Sequence, residues 1–228
     1  MTTILTVQNI AKTYNMRDGL IYALNDVSFA VKKGGFVSIT GPSGSGKTTL
    51  LLALSGLIRP TSGKIIFQEK HLESASDKEL AEFRKMHVGF VMQNFSLIPY
   101  MTAIQNVMIP LGLNGHSTEE QKANSQAVLE LVGLENRQNH FPRELSAGQQ
   151  QRVAIARALV NKPTIIFADE PTGNLDPSLS VEILEFLQKI NKELNVTIMM
   201  VTHSPQAANY GNVKIRMNEG KIDNQYTI

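Results

Sequence analysis

The sequence contains no cysteine. Disulfides and thiolate–zinc sites are therefore excluded outright, and a reducing compartment is compatible with the chain. It has no run approaching the ~18 consecutive apolar residues that a membrane-crossing helix needs. The start, Met1-Thr2-Thr3-Ile4-Leu5, has no basic region followed by an apolar stretch, so no secretory signal is expected. Charge of one sign is scarce too: 22 basic and 20 acidic residues leave a formal charge of +2, with no long basic block. Charge thus gives no case for nucleic acid, and none is expected as a partner. These absences point to the cytoplasm, unless a partner holds the chain at a membrane.

What is present is enough for a core. Of 228 residues, 42% are hydrophobic, which argues against disorder and suits one large α/β domain carrying an insertion. Leu5–Ile10 and Val27–Val31 alternate apolar and polar residues at the strand period, and the second run ends at a Lys32–Gly35 turn. Phe36–Thr40 is a short β-rich run leading into a glycine-rich loop and a helix over Lys47–Leu57, stopped at Arg59–Gly63. Lys64–Phe67 suggests a hairpin. Ser76-Asp77 can cap a helix to about Met86, followed by a strand to Met92. From Asn94 to Val160 only helices are expected. Among them Ser117-Thr118-Glu119-Glu120 is a capping box, with Ala123, Ala127 and Leu131 on one face and Gly133 as the stop. Ile165–Ala168 and Ile198–Val201 are continuous apolar runs, as in strands buried on both faces of a parallel sheet, with a crossover helix over Pro177–Leu194. Val213–Ile222 reads as a hairpin turning at Asn218-Glu219-Gly220.

The chemistry begins at Gly41-Pro42-Ser43-Gly44-Ser45-Gly46-Lys47-Thr48, a complete G-x-x-x-x-G-K-[ST] pattern. Glycines let the backbone approach phosphates, and successive N–H groups and the following helix end face the anion. Lys47 reaches the β- and γ-phosphates of ATP, and the Thr48 hydroxyl is placed to ligate Mg²⁺. A strand before and a helix after the loop set it apart from a chance glycine-rich turn. Asp169-Glu170 follows a buried strand, which delivers carboxylates to the ligand crevice of a parallel sheet. Asp169 would hold Mg²⁺, and Glu170 would orient or deprotonate the attacking water. Taken alone, such a pair is equally an ordinary strand-to-loop Asp-Glu; the intact phosphate loop favours function. A lone histidine after a strand, as His203 is, is more often structural, and a glutamine at a strand end, as Gln93 is, is usually just polar. Leu145–Arg152 opens a helix whose N-cap, Ser146, leaves free N–H groups as a second anion site. In isolation that stretch is a capped helix without a ligand.

Taken together and in order, these motifs resemble those of the ATP-binding cassette (ABC) transporter ATPases, over nearly the whole chain. The resemblance implies an α/β fold: a P-loop NTPase core with a mixed, largely parallel sheet, an N-terminal antiparallel β-subdomain and an inserted α-helical subdomain. The expected layout is one domain over 1–228, with 1–93 and 161–228 as core and β-subdomain and 94–160 as the helical insertion. It also implies ATP binding by Tyr14, stacked on adenine, by Gly41–Thr48 with Thr49, and by Gln93. Mg²⁺ would be held by Thr48, Gln93 and Asp169; Glu170 and His203 would be catalytic. Ser146, Ala147, Gly148 and Gln149 would act in trans on the ATP of a second copy in a head-to-tail homodimer, with Asp176 linking the two sites. Partners implied are transmembrane permease subunits and, through them, an extracytoplasmic adaptor, which puts the ATPase on the cytoplasmic face of the membrane.

Three stretches are similar to the macrolide-exporter and lipoprotein-releasing branch: Ile39–Lys47, Leu97–Ala103 with Asn106-Val107, and Ala168–Asp176. That implies export or extraction of a hydrophobic, peptide, lipoprotein or antibiotic substrate. The alternative is a cell-division or peptide-sensing ATPase that transmits force without transport. The sequence departs from the family at Ala147, where glycine is usual, and at Gly35, where glutamate is common. The pair Thr48-Thr49 replaces a commoner Ser-Thr. Long coiled-coil or zinc insertions, typical of the soluble cassette ATPases of DNA repair, are absent from the sequence.

Overall fold

A computed structural model describes residues 2–16 and 19–227. Two sheets organise the chain. The first is antiparallel, in the order β2-β1-β4-β5, built from β1 (Thr3–Met16), β2 (Gly19–Lys32), β4 (Ser62–Phe67) and β5 (Lys70–His71). The second has six strands in the order β10-β9-β3-β8-β7-β6. These are β3 (Phe36–Thr40), β6 (Val88–Met92), β7 (Ile165–Asp169), β8 (Thr197–Val201), β9 (Val213–Asn218) and β10 (Lys221–Thr227). All its pairings are parallel except β9 with β10, so the sheet is the mixed, largely parallel one expected.

β3, β7 and β8 are almost wholly buried along their length, because helices cover both faces of the parallel sheet. On one face α1 (Lys47–Leu54) packs into a core with Ile39, Phe67 and Phe167. On the other, Phe36, Ile166, Ile198 and Met200 meet α5 (Ala147–Leu159) and α6 (Pro177–Leu194). A third cluster joins α5 to α3 (Ala103–Leu113) and α4 (Thr118–Leu131) around Val107, Leu129 and Val153. α2 (Asp77–His87) and the short α7 (Pro205–Ala208) complete the α-helices of the described residues.

Three expectations need correction. The first two strands run 14 residues each, well beyond Leu5–Ile10 and Val27–Val31. Their outer parts leave the core: Leu20, Ile21 and Tyr22 are all exposed, so no inside–outside alternation marks them. α1 stops at Leu54 rather than Leu57. Gly56 turns left-handed there (φ 68°), and the Leu57 and Ile58 amides both fold back onto the Leu52 carbonyl. In α4 the capping box of Ser117 and Glu120 forms, but Ala123, Ala127 and Leu131 lie on the exposed side. The buried positions are Ser125 and Leu129.

Candidate functional site

The phosphate loop joins the C-terminal end of β3 to α1. Gly46 is the N-cap of α1, at φ 96°, and provides no side-chain cap. A β-carbon there would run into the Ala23 carbonyl of β2, so the close approach as well as the left-handed backbone requires glycine. Every other α-helix among the described residues has a side-chain cap: Ser76, Thr102, Ser117, Ser146, Asp176 and Ser204 serve α2 to α7. α1 is thus the α-helix among the described residues whose first-turn N–H groups meet no side-chain acceptor at all, which suits a phosphate.

Lys47 is 9% exposed. Its ammonium donates to the carbonyls of Gly41 (2.9 Å) and Pro42 (2.8 Å) and, at 3.4 Å, to Ser45 Oγ. The loop thus fixes its cation by its own backbone. Ser43 through Thr49 line a cleft of about 450 Å³, shared with Gln93, Asp169, Glu170 and His203. Gly41 and Pro42 do not line it; they border a neighbouring cavity of about 730 Å³ that also reaches His203.

Asp169 ends β7 beside Thr48, whose hydroxyl donates to Asp169 Oδ1 at 3.4 Å. Burial raises the Asp169 pKa above the ordinary carboxylate value, while the Thr48 hydrogen bond and the Lys47 charge pull it down. A hydroxyl and a carboxylate oxygen this close are hard donors of the kind that suit Mg²⁺, which takes one or two protein ligands beside substrate phosphates. The residues therefore fit that ion. Glu170 stands just beyond, in the left-handed region at φ 48°. Its amide donates to the Val201 carbonyl of β8 at 3.0 Å. Its Oε1 lies 2.7 Å from His203 Nδ1. A carboxylate only accepts, so this contact places the imidazole proton on Nδ1. Glu170 is 15% exposed and His203 70%: the carboxylate is sheltered and the ring faces the opening.

Tyr14 does not line the cleft. It sits on β1 directly opposite Ile21, with the Lys12 ammonium 5.2 Å from its ring centroid. Ile21, Tyr22 and Ala23 of β2 supply the apolar wall instead. No motif marks them in the sequence; two large apolar side chains in succession, Ile21 and Tyr22, are the available signal.

None of Ser146, Ala147, Gly148 and Gln149 lines this cleft. Ser146 caps α5 in a reciprocal box: its Oγ accepts from the Gln149 amide at 3.3 Å, and Gln149 Oε1 accepts from the Ser146 amide at 3.0 Å. Gly148 lets α5 approach α6, since a β-carbon would stand 3.1 Å from Leu179 Cδ2. Asp176 caps α6, and its Oδ1 accepts from Ser178 N, Ser178 Oγ and Leu179 N. Those bonds, led by the Leu179 amide, hold its carboxyl below the ordinary value. α5 also holds the segment after Gln93. Arg157 donates to the carbonyls of Phe95 (2.9 Å) and Ser96 (2.6 Å), two consecutive left-handed residues.

The family model described as "ABC transporter" matches residues 24–173. Among curated relatives, the macrolide export ATP-binding/permease protein MacB of Syntrophobacter fumaroxidans is 43% identical over 96% of this chain, which spans 31% of that protein. The lipoprotein-releasing system ATP-binding protein LolD of Cytophaga hutchinsonii is 39% identical over 97% of this chain and 100% of its own length. Among solved structures, the chain superposes on the ATP-binding cassette MJ0796, a dimer in a post-hydrolysis state bound to ADP and phosphate. The TM-score is 0.90, with 41% identity and 98% coverage of both chains.

Proposed function

The chain belongs to the ABC transporter family and is its ATP-binding, ATP-hydrolysing part, and on that premise we propose that it works as a homodimer driving a separate transmembrane permease. The observation that carries this is the separation of two anion-binding ends. The cleft of the phosphate loop contains no residue of Ser146–Gln149. That helix end serves a nucleotide held by another copy, so each ATP lies between Gly41–Thr49 of one protomer and Ser146–Gln149 of the other.

In this reading Glu170 positions and activates the water, and His203, oriented by Glu170, meets the γ-phosphate through its exposed edge. The β2 wall of Ile21, Tyr22 and Ala23 takes the base, with Tyr14 paired to Ile21 on the strand behind it. Thr48, Gln93 and Asp169 would hold Mg²⁺, which would supply positive charge against that of the phosphates. Asp176, on the turn after Glu170, links the two sites across the interface. Closure is driven by differential binding, because the Ser146 contacts exist only in the closed pair.

No helix of the described residues is long and apolar enough to cross a membrane. MacB is named for both an ATP-binding and a permease part, of which this chain spans 31%, while LolD, matched over 100% of its length, is named as an ATP-binding protein; the latter supports a permease partner that holds the ATPase at the cytoplasmic face. The segment 94–160 moves as the helical subdomain against 1–93 and 161–228. Leu97–Tyr100 is its docking surface for the permease: Asn106 ties the loop down through bonds to Ile98 N, Ile98 O, Met101 O and Thr102 O. Tyr100 is left 76% exposed. The similarity to MacB and LolD supports export or extraction of a hydrophobic, lipoprotein or antibiotic cargo, with an adaptor reached through the permease.

The test is the solution mass of Glu170→Gln with and without Mg-ATP. Hydrolysis is expected to fall about 10²–10⁴-fold, the usual weight of a general base, while ATP converts monomer to dimer. Wild-type turnover would remove Glu170 from its role. A monomer under all conditions would remove the trans assignment.

A further inference from the structure

Gly173 does not have the backbone conformation that calls for glycine; its φ lies outside the left-handed region. Its reason is space. A β-carbon there would stand 2.8 Å from Gln93 Nε2 and 3.3 Å from its Cδ, so the Gln93 side chain lies across the Gly173 backbone. The next residue then grips it. Asn174 Nδ2 donates to the Gln93 carbonyl at 3.0 Å and to Asn94 Oδ1 at 2.9 Å. Gln93 Nε2 donates back to Asn174 Oδ1 at 3.4 Å.

These bonds admit one orientation. The Gln93 carbonyl can only accept, so Asn174 must turn its amino group to it and its oxygen to Gln93 Nε2. Gln93 is thereby held with its nitrogen occupied and its Oε1 left over, and oxygen is the atom through which an amide ligates a hard cation or orients water. Both side chains are exposed. An unanchored glutamine at the surface would spread over many rotamers, and ordering it would cost free energy at each turnover. The turn itself is fixed to the candidate base, since the Gly173 amide donates to the Glu170 carbonyl at 3.0 Å.

We propose that Asn174, on the seat left open by Gly173, is a positioning residue that presents the Gln93 amide oxygen to the nucleotide cleft. The inference rests on the reading of Gln93 as a ligand for Mg²⁺ or the attacking water. The Gly173–Asp176 turn therefore sets the site of its own chain as well as facing the second copy.

A double-mutant cycle tests it. Steady-state kcat, KM for ATP and the Mg²⁺ concentration for half-maximal rate are measured for wild type, Gln93→Ala, Asn174→Ala and the pair. Binding of a fluorescent ATP analogue and thermal melting report folding. Asn174→Ala is expected to lower kcat about tenfold, as removal of groups that orient a metal ligand does, and to raise the Mg²⁺ requirement with KM for ATP little changed. In the Gln93→Ala background the same substitution should have no further effect. Gly173→Ala should behave likewise, and it carries the test should Asn174→Ala fail to fold. Equal fold-losses in both backgrounds would overturn the positioning role while leaving Gln93 in place. Wild-type kinetics in Gln93→Ala would overturn the reading of Gln93 and the inference with it.

Discussion

The proposed function sets two helix ends against a phosphate, and they are built oppositely. α1 starts at a glycine with no side chain to cap it, and a nearly buried lysine is locked over the loop by its own carbonyls. α5 starts at an exposed serine whose oxygen is already engaged in a capping box. A hydroxyl that accepts can still donate, so Ser146 offers one proton outward and no charge. The first end is suited to binding a nucleotide alone. In the proposed dimer the second would add too little to bind by itself and enough to favour the closed pair. That proposal divides affinity and switching between the two ends.

The division can be broken at either side. The largest effect is expected from Lys47→Ala, which removes the cation that the loop carbonyls hold at the α1 end. ATP affinity should fall about 100-fold, the scale of a lost charge-assisted contact, in a titration with a fluorescent analogue. Unchanged affinity would sink the assignment. Gly46→Ala comes next. It sets a β-carbon against the Ala23 carbonyl in a left-handed backbone. It should cost about 2–4 kcal/mol in denaturant unfolding, the range for steric strain at a special conformation. A smaller and different effect is expected from Ser146→Ala. Loss of the cap costs about 1 kcal/mol, and ATP-driven dimer formation should weaken in sedimentation, while ATP binding by the monomer stays as it was. A drop in monomer affinity would contradict the division.

A control away from both ends is pH. His87 packs against Phe67 and Phe83, with Nδ1 3.1 Å from Thr164 Oγ1. Burial and the Lys70 charge lower its pKa in the folded chain. The stability it contributes is therefore present above the unfolded value and lost as pH falls through the folded one. His87→Gln should flatten the fall in melting temperature below about pH 6.5, the unperturbed histidine value, with both helix ends unaffected. An identical pH profile in the variant would exclude His87 as the source.

The sequence showed the α1 end almost completely because its chemistry is local. A strand, a glycine run, a lysine and a threonine are adjacent in the chain, and the structure gathers Ser43–Thr49 as expected. The carboxylates and His203 were legible for a related reason: continuous apolar runs announce buried parallel strands, and their ends share one edge of the sheet. What stayed hidden depends on neighbours distant in the chain. Tyr22 reaches the cleft because β2 overhangs the phosphate loop, and no local pattern encodes an overhang. Gly173 is a glycine on account of Gln93, eighty positions earlier. The face of α4 was misjudged because alanine is cheap at a surface and because Ser125, a polar residue, takes a fully buried place.

α5 has a hold at both ends. Ser146 begins it, and eleven residues on, about 16 Å along a helix axis, Arg157 grips Phe95 and Ser96. A helix of this length is a stiff rod, and the two carbonyls sit in a strained backbone with little slack. Ser146 and the loop that leads to Tyr100 are thus joined through one helix and one guanidinium.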